Sequence, residues 1–189
     1  MNRLTALLDA NVLYSAGLRD FLLRLADQYL YRPLWSAVIH EEWIANLLAN
    51  RSDLTDAMLE RTRTIMDEHF PEAVVTGYEA LMAELDLPDR QDRHVLAAAI
   101  RGRANVIVTL NLRDFPADRL APHGLEARHP DDFIVGLFET QPGAVLAAVR
   151  GHRAALKNPP RSREEHLAAL ERLGLVQTAS IFWNHQDVI

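Results

Sequence analysis

Residues 4–16 read LTALLDANVLYSA, and this stretch places one carboxylate, Asp9, inside an otherwise apolar run. Leu4–Leu8 has the length and composition of a short buried strand. A carboxylate beside buried residues is costly unless it is hydrogen-bonded, paired with a cation or bound to a metal ion. No helix is predicted to begin directly after Asp9, so capping does not explain it. The stretch therefore predicts a polar site at the carboxyl end of the first strand.

Strand patterns alternate with helical patterns after this first strand. Further strands are predicted over residues 31–35, 73–76, 105–109 and 125–129. Helices are predicted over residues 17–28, 36–50, 54–69, 77–84, 90–101 and 130–139. This alternation is typical of an α/β architecture, with a parallel sheet sandwiched by helices.

The sequence after Glu139 carries helical patterns and no strand pattern. QPGAVLAAVRGHRAAL (141–156) and SREEHLAALERLGL (162–175) both have helical spacing and are joined by a proline-containing linker. We therefore predict two domains, an α/β domain over residues 1–139 and a helical C-terminal extension over residues 140–189.

The composition excludes several classes of protein. The chain has 189 residues, 49% of them hydrophobic and 24% charged, which is the balance of a globular protein. It has no Cys, which excludes a disulfide scaffold, a thiolate metal site and a Cys nucleophile. No apolar run approaches the ~18 residues of a membrane span, and no signal peptide pattern precedes the first strand. We therefore expect a cytoplasmic protein with no membrane association.

The charge pattern argues against a protein that coats nucleic acid through bulk charge, because the formal net charge is −6. All but one of the 20 basic residues are Arg, and Lys157 is the exception. Arg suits phosphate contact because its guanidinium pairs with two oxygens at once. Codon bias in a GC-rich genome is the alternative explanation of this excess.

Acidic and amide side chains fall where the strands of the predicted sheet end, which is the edge at which open parallel sheets bind ligands. They come from four separate parts of the sequence: Asp9, Glu42, Asp89 with Asp92, and Asn111 with Asp114. Two carboxylates ~5 Å apart repel by roughly 3 kcal/mol at an effective dielectric constant of about 20. A hard divalent ion with oxygen ligands, Mg²⁺ or Mn²⁺, relieves this repulsion and promotes phosphodiester hydrolysis.

Each of these acids except Asp9 also has a structural interpretation. Asp89 is placed to cap the helix predicted over residues 90–101, and Asp92 would then lie in its first turn, near the positive end of the helix dipole. Asp114 is placed to bond the backbone of its own loop.

Four segments together resemble the PIN-domain nucleases, and most closely the VapC-type toxins of bacterial toxin–antitoxin pairs. These segments read LLDANVLYSA, SAVIHEEWIANLL, DRQDRHVLAAAIRGRANVIVTLNLRDFP and HPDDFI. The resemblance spans about residues 4–137 and is most specific over residues 89–116. It implies a PIN-like compact sheet sandwiched by helices, and an endoribonuclease activity that depends on Mg²⁺ or Mn²⁺.

The resemblance also implies a set of site residues. The first family acid matches Asp9, the helical Glu matches Glu42, and the acid before the VLAAA run matches Asp92. The fourth family position is commonly Asp but is Asn111 in this sequence, and Asp114 follows three residues later. We therefore predict Asp9, Glu42, Asp92 and Asp114 as the catalytic and metal-binding residues.

Further residues are predicted to support this site or to hold RNA. The supporting residues are Ser36, Asn11, Thr109 and Asn111, and the RNA-binding residues are Arg90, Arg93 and Arg113. Ser36 and Thr109 also have plain structural interpretations, as a helix cap and a strand end. The arginines have one too, as a solvated helix face.

Partners and alternative functions follow from the same resemblance. A toxin implies an RNA substrate and a cognate antitoxin, and exposed apolar positions within residues 54–65 or in the extension are open to that antitoxin or to a homodimer. The alternative function is a catalytically impaired PIN-like module that binds RNA or protein, and Asn111 keeps it open. A phosphatase resembling the haloacid dehalogenases is disfavoured, because its second Asp is Asn11 here and the only Lys lies at 157.

Overall fold

The computed structural model describes residues 3–157, 159–185 and 187. The chain forms two compact units, one of Met1–Tyr14 with Arg32–Arg128 and one of Ser15–Tyr31 with His129–Ile189. The two domains predicted from the sequence, residues 1–139 and 140–189, are defined by sequence pattern and not by packing. This division stays a prediction.

Within the described residues the strands are β1 (Thr5–Leu8), β2 (Arg32–Leu34), β3 (Val106–Val108) and β4 (Glu126–Arg128). The α-helices described are α1 (Ala10–Tyr14), α2 (Ala16–Asp27), α3 (Ala37–Asn50), α4 (Asp56–His69), α5 (Arg93–Arg101), α6 (Ala117–Leu120), α7 (Pro130–Thr140), α8 (Pro142–Ala155), α9 (Arg163–Arg172) and α10 (Val176–Trp183). Short 3₁₀ turns cover Glu79–Ala83, Leu112–Asp114 and Ala121–His123.

The first unit is built on a four-stranded sheet in the order β2-β1-β3-β4, and all its strand pairs are parallel. Leu7 lies opposite Leu34 on one side and Ile107 on the other, and both central strands are fully buried. Helix α5 packs against β1 and β3, and α6 packs against β4. The predicted α/β class, a parallel sheet flanked by helices, is confirmed.

Residues 73–76 do not form the predicted strand. Only a parallel bridge between Trp35 and Val74 joins this segment to the end of β2. Gly77 then turns the chain with a φ of 70°, a conformation that glycine adopts without steric cost. This apolar segment therefore pairs with the sheet region through a single bridge and does not form a fifth strand.

Two helix starts differ from the predicted ones. Helix α1 begins at Ala10, directly after Asp9, where no helix was predicted. Helix α5 begins at Arg93, so Asp92 takes the N-cap position without a side-chain capping bond. Asp89 does not cap this helix as predicted, because its Oδ1 instead accepts a hydrogen bond from the Gln91 N–H at 2.8 Å.

The second unit is helical and consists of α2 with α7, α8, α9 and α10. Asp131, which is 4% exposed, holds the start of α10. Its carboxylate accepts the N–H groups of Gln177 and Thr178, each at 2.8 Å. A carboxylate in this position satisfies helix donors that have no intrahelical partner. In the described part of the chain, no helix combines the length and the apolar character needed to cross a bilayer.

Candidate active site

A groove of about 610 Å³ opens at the carboxyl end of β1 in the first unit. Three carboxylates from three separate segments line it, together with neutral amides and one tyrosine. The polar lining residues are Asp9, Asn11, Tyr14, Glu42, Asn46, Asn50, Gln91, Asp92 and Asn111. The expectation that these distant acids share one edge of the sheet therefore agrees with the geometry.

Asp9 lies at the base of this groove and is only 5% exposed. Its Oδ1 accepts the Ala10 N–H at 2.7 Å, and its Oδ2 accepts Asn11 Nδ2 at 2.6 Å and Thr109 Oγ1 at 2.7 Å. Burial raises the pKa of Asp9, the bonds from Thr109 and Ala10 oppose that rise, and the negative charge of Glu42 adds to it. The three hydrogen bonds offset much of the cost of burying the carboxylate.

Thr109 and Asn11 tie the ends of β1 and β3 together. Asn11 Nδ2 donates to Thr109 Oγ1 at 2.9 Å, and Asn11 Oδ1 accepts the Leu110 N–H at 3.0 Å. Thr109 Oγ1 also accepts the Asn111 N–H at 3.0 Å. These two predicted supporting residues therefore surround Asp9, whereas Ser36 is buried and caps α3 by accepting the Ile39 N–H at 3.2 Å.

Replacing Thr109 with Val is expected to lower the free energy of unfolding by about 1–3 kcal/mol. Valine keeps the shape of the side chain but removes the hydroxyl that donates to Asp9 and accepts from Asn11 and Asn111. Denaturant unfolding of the purified chain measures this loss. Thr109→Ser keeps the hydroxyl and should lose clearly less than Thr109→Val, about 0.8 kcal/mol for the missing methyl group. Equal losses in the two variants would contradict this role of the hydroxyl.

Glu42 projects from α3 and is held by a buried histidine. His94 Nε2 lies 2.9 Å from Glu42 Oε1, and His94 is 5% exposed. The two residues are far apart in the sequence, on α3 and α5. The sequence carries no signal of this pairing, because the partner is set by helix packing.

Asp92 lines the same groove as Asp9, at the start of α5. Burial, followed by the negative charges of Asp9, Asp114 and Asp89, raises the pKa of Asp92 to about 7. Asp114 thus belongs to the same electrostatic environment, although it does not line the groove itself. Asn111 lines the groove, and its Nδ2 donates to Asp114 Oδ2.

The three arginines predicted to hold RNA lie outside the groove lining that the structure describes. Arg90 and Arg113 are exposed. Arg93 is partly buried, and its Nε has no hydrogen-bond partner among the described residues. Their role in binding RNA stays a prediction.

The donor set of the groove fits a hard divalent ion in its chemistry. Carboxylate and amide oxygens are the ligands that Mg²⁺ and Mn²⁺ prefer. Among the residues that the structure describes, no group of three or more His, Cys, Asp or Glu side chains is arranged to hold a metal ion.

A buried hydrogen-bond network fixes the helix that carries Glu42, and the sequence did not reveal it. Trp35 Nε1 donates to Asp67 Oδ1 at 2.8 Å, and His40 Nε2 lies 3.1 Å from the same oxygen. Trp43 Nε1 donates to His40 Nδ1 at 2.9 Å. Because Asp67 lies on α4 while His40 and Trp43 lie on α3, the network locks these two helices together. The Asp67 partner comes from another helix, so the sequence alone does not indicate the network.

Comparison with known families agrees with this fold. The PIN domain family matches residues 5–113, and the VapC50 C-terminal domain family matches residues 130–182. The first match covers more than half of the chain, so the chain belongs to the PIN domain family.

A Mycobacterium tuberculosis (strain ATCC 25618 / H37Rv) protein named "Putative ribonuclease VapC50" is 43% identical to this chain over 98 residues. The aligned segment covers 52% of this chain and 57% of that protein, so the chain spans little more than half of its curated relative's length. No solved structure matches the chain significantly.

Proposed function

We propose that this chain is a metal-dependent endoribonuclease and the toxin of a toxin–antitoxin pair. The observation that carries the proposal is that Asp9, Glu42 and Asp92 line one groove at the carboxyl edge of a PIN-family sheet. The similarity to a protein named as a VapC ribonuclease supports the same substrate class.

The residues proposed to hold Mg²⁺ or Mn²⁺ are Asp9, Asp92 and Glu42, with Asp114 completing the site from beside Asn111. Such an ion, when bound, neutralises charge on a phosphoryl oxygen and lowers the pKa of a coordinated water. The chain's own residues set the geometry around it. Thr109 and Asn11 fix the orientation of the Asp9 carboxylate, and His94 fixes that of Glu42. Residues that hold metal ligands in this way commonly change metal affinity or activity by 10–100-fold when they are replaced.

The RNA backbone is proposed to contact Arg90, Arg93 and Arg113, which lie close to groove residues in the sequence. A cognate antitoxin is the proposed protein partner, and the cytoplasm is the proposed compartment. Met58 and Ile65, which are 52% and 55% exposed on α4, offer an apolar surface to that antitoxin. A homodimer is the alternative use of the same surface.

A second candidate function is a PIN-like module that binds RNA or protein without cleaving it. Two observations favour it: Asn111 occupies a position that is commonly Asp in the family, and no three acidic or imidazole groups of the described chain are arranged around a common ion. The two functions differ in what a divalent ion does to the protein and to RNA.

The experiment that separates them is a titration of Mn²⁺ into the purified chain, with cleavage of a mixed RNA pool measured in parallel. For a nuclease we expect a rise in the unfolding midpoint with Mn²⁺, because an ion that binds only the folded state stabilises it. We also expect cleavage that stops when EDTA is added. RNA binding with no cleavage at any Mn²⁺ or Mg²⁺ concentration would favour the binding module.

A further inference from the structure

We infer that the end of the groove formed by Asn46, Asn50 and Tyr14 is a subsite for an unpaired RNA base next to the scissile phosphate. This inference rests on the proposed function, because it assigns to that site the residues that recognise the substrate. We call these three residues the amide end of the groove, and Gln91 is a further amide of the same lining.

The amide end is an extension of the helix face that carries Glu42. Glu42, Asn46 and Asn50 are spaced four residues apart on α3, and all three line the groove. Residues at this spacing lie one above the other on one face of a helix. At 1.5 Å per residue, Asn50 lies about 12 Å along the helix axis from Glu42. Tyr14, at the end of α1, lines the same groove.

The charge distribution of the groove favours a base over a phosphate at the amide end. The described lining contains the carboxylates of Asp9, Glu42 and Asp92 and neither Arg nor Lys. A phosphate placed along this lining meets only negative charge, except where a metal ion is bound among the carboxylates. A nucleobase is uncharged and carries no such penalty. The groove therefore suits a strand whose scissile phosphate lies at the carboxylates and whose neighbouring base enters the amide end.

The side chains of the amide end have the chemistry that reads an unpaired base. Each amide offers both donors and an acceptor, which matches the mixed donors and acceptors on a base edge. Asn50 Nδ2 donates to the Asn46 carbonyl at 2.7 Å, which fixes the Asn50 side chain and leaves its Oδ1 to accept from a ligand. Asn46 and Gln91 are exposed, and the partly exposed Tyr14 supplies an aromatic ring. Unpaired RNA bases are commonly held by aromatic stacking combined with hydrogen bonds to their edges.

The test uses the four nucleosides adenosine, guanosine, cytidine and uridine, which carry no phosphate and leave cleavage out of the measurement. Each is titrated into the metal-free full chain, and the side-chain amide signals of Asn46, Asn50 and Gln91 are followed by NMR. We expect saturable shifts, with the best nucleoside binding about tenfold more tightly than the weakest, as base-specific contacts of this kind allow. In Asn46→Ala that ratio should fall to about twofold.

The matched control is Glu41→Gln, because Glu41 is exposed on the same helix and does not line the groove. The ratio between its tightest and its weakest nucleoside affinity should equal that of the wild type. The inference is overturned if the amide signals do not shift at millimolar nucleoside, or if Asn46→Ala leaves the ratio unchanged. Cleavage of an RNA pool in Mn²⁺ is measured separately. Nucleoside discrimination without cleavage would therefore contradict the proposed nuclease activity and still support the base subsite.

Discussion

Replacing Asp9 with Asn is expected to slow RNA cleavage by about a thousandfold. Asp9 is the most buried carboxylate of the groove, and its position at the end of β1 makes it the central proposed ligand of the divalent ion. An amide keeps the size of the side chain but removes its negative charge. A divalent ion contributes several kcal/mol of transition-state stabilisation, and losing about 4 kcal/mol corresponds to roughly three orders of magnitude in rate.

The measurement is single-turnover cleavage of a defined RNA at saturating Mn²⁺, with the Mn²⁺-dependent rise in unfolding midpoint recorded for both proteins. The variant should lose most of that rise as well. Three donors point at the Asp9 carboxylate, and an amide supplies only one oxygen to them. We therefore also expect a loss of up to about 2 kcal/mol in unfolding free energy, which denaturant titration measures independently.

The matched control is Asp89→Asn, which makes the same chemical change close to the same groove. Asp89 is exposed, and its Oδ1 accepts the Gln91 N–H, which an amide oxygen does equally well. Its cleavage rate should stay within a few-fold of the wild type. Comparable losses in the two variants would show that general negative charge, rather than Asp9 itself, supports the reaction.

The second large effect is expected in the stability of the chain at mildly acidic pH. His152 and His166 are 4% and 1% exposed, and their rings lie 4.9 Å apart. Both ring nitrogens of His166, and Nδ1 of His152, have no hydrogen-bond partner in the described residues. Burial lowers the pKa of both histidines from 6.5 to about 4. Both therefore stay neutral in the folded chain at neutral pH.

The charged groups around this pair act in both directions. For His152, Asp20 raises the pKa, whereas Arg24 and Arg161 lower it. For His166, the neighbouring His152 lowers the pKa, and Arg161 and Arg153 add to that effect. Burial is the largest cause for each ring, so the pKa of both stays depressed despite the carboxylate of Asp20.

The sign of the pH dependence follows from these directions. Between about pH 6.5 and pH 4 the two histidines bind protons in the unfolded chain but not in the folded one. The contribution of these two histidines to the free energy of unfolding is therefore largest above pH 6.5 and falls as the pH drops towards 4. The shift from 6.5 to about 4 limits the loss to on the order of 3 kcal/mol for each histidine.

Guanidinium unfolding at pH 7.5, 6.0 and 5.0 measures this loss, and His166→Phe identifies its source. Phenylalanine keeps an aromatic ring beside His152 and cannot be protonated, so the profile of the variant should be clearly flatter than that of the wild type. His123→Phe makes the same change at an exposed histidine and should leave the wild-type slope. Parallel profiles for wild type and His166→Phe would refute this account.

The two central strands, β1 and β3, could be predicted from the sequence because they are short apolar runs. Residues 73–76 have the same apolar pattern, yet they form only a bridge. A segment becomes a strand only where a neighbouring strand pairs with it over several residues. Helix α10 could not be predicted from its own residues. Its start is held by Asp131, which lies more than forty residues earlier in the sequence.

The site was predictable to the extent that it depends on strand ends. Asp9 follows β1, and its proximity to the end of β3 follows from parallel pairing. The partners that orient these groups were not predictable, because they come from helix packing: His94 contacts Glu42 across 52 positions of sequence. The amide end of the groove was hidden for the same reason. Asn46 and Asn50 look like ordinary solvated helix residues until the groove beside them is known.

The hydrogen-bond network at Asp67 gives this protein a built-in optical probe. Trp35 and Trp43, two of the three tryptophans of the chain, donate into it. The emission of an indole responds to its hydrogen bonding and to a nearby imidazole. The tryptophan fluorescence of the unlabelled protein therefore reports on the packing of α3, the helix that carries Glu42, while ions or oligonucleotides are added.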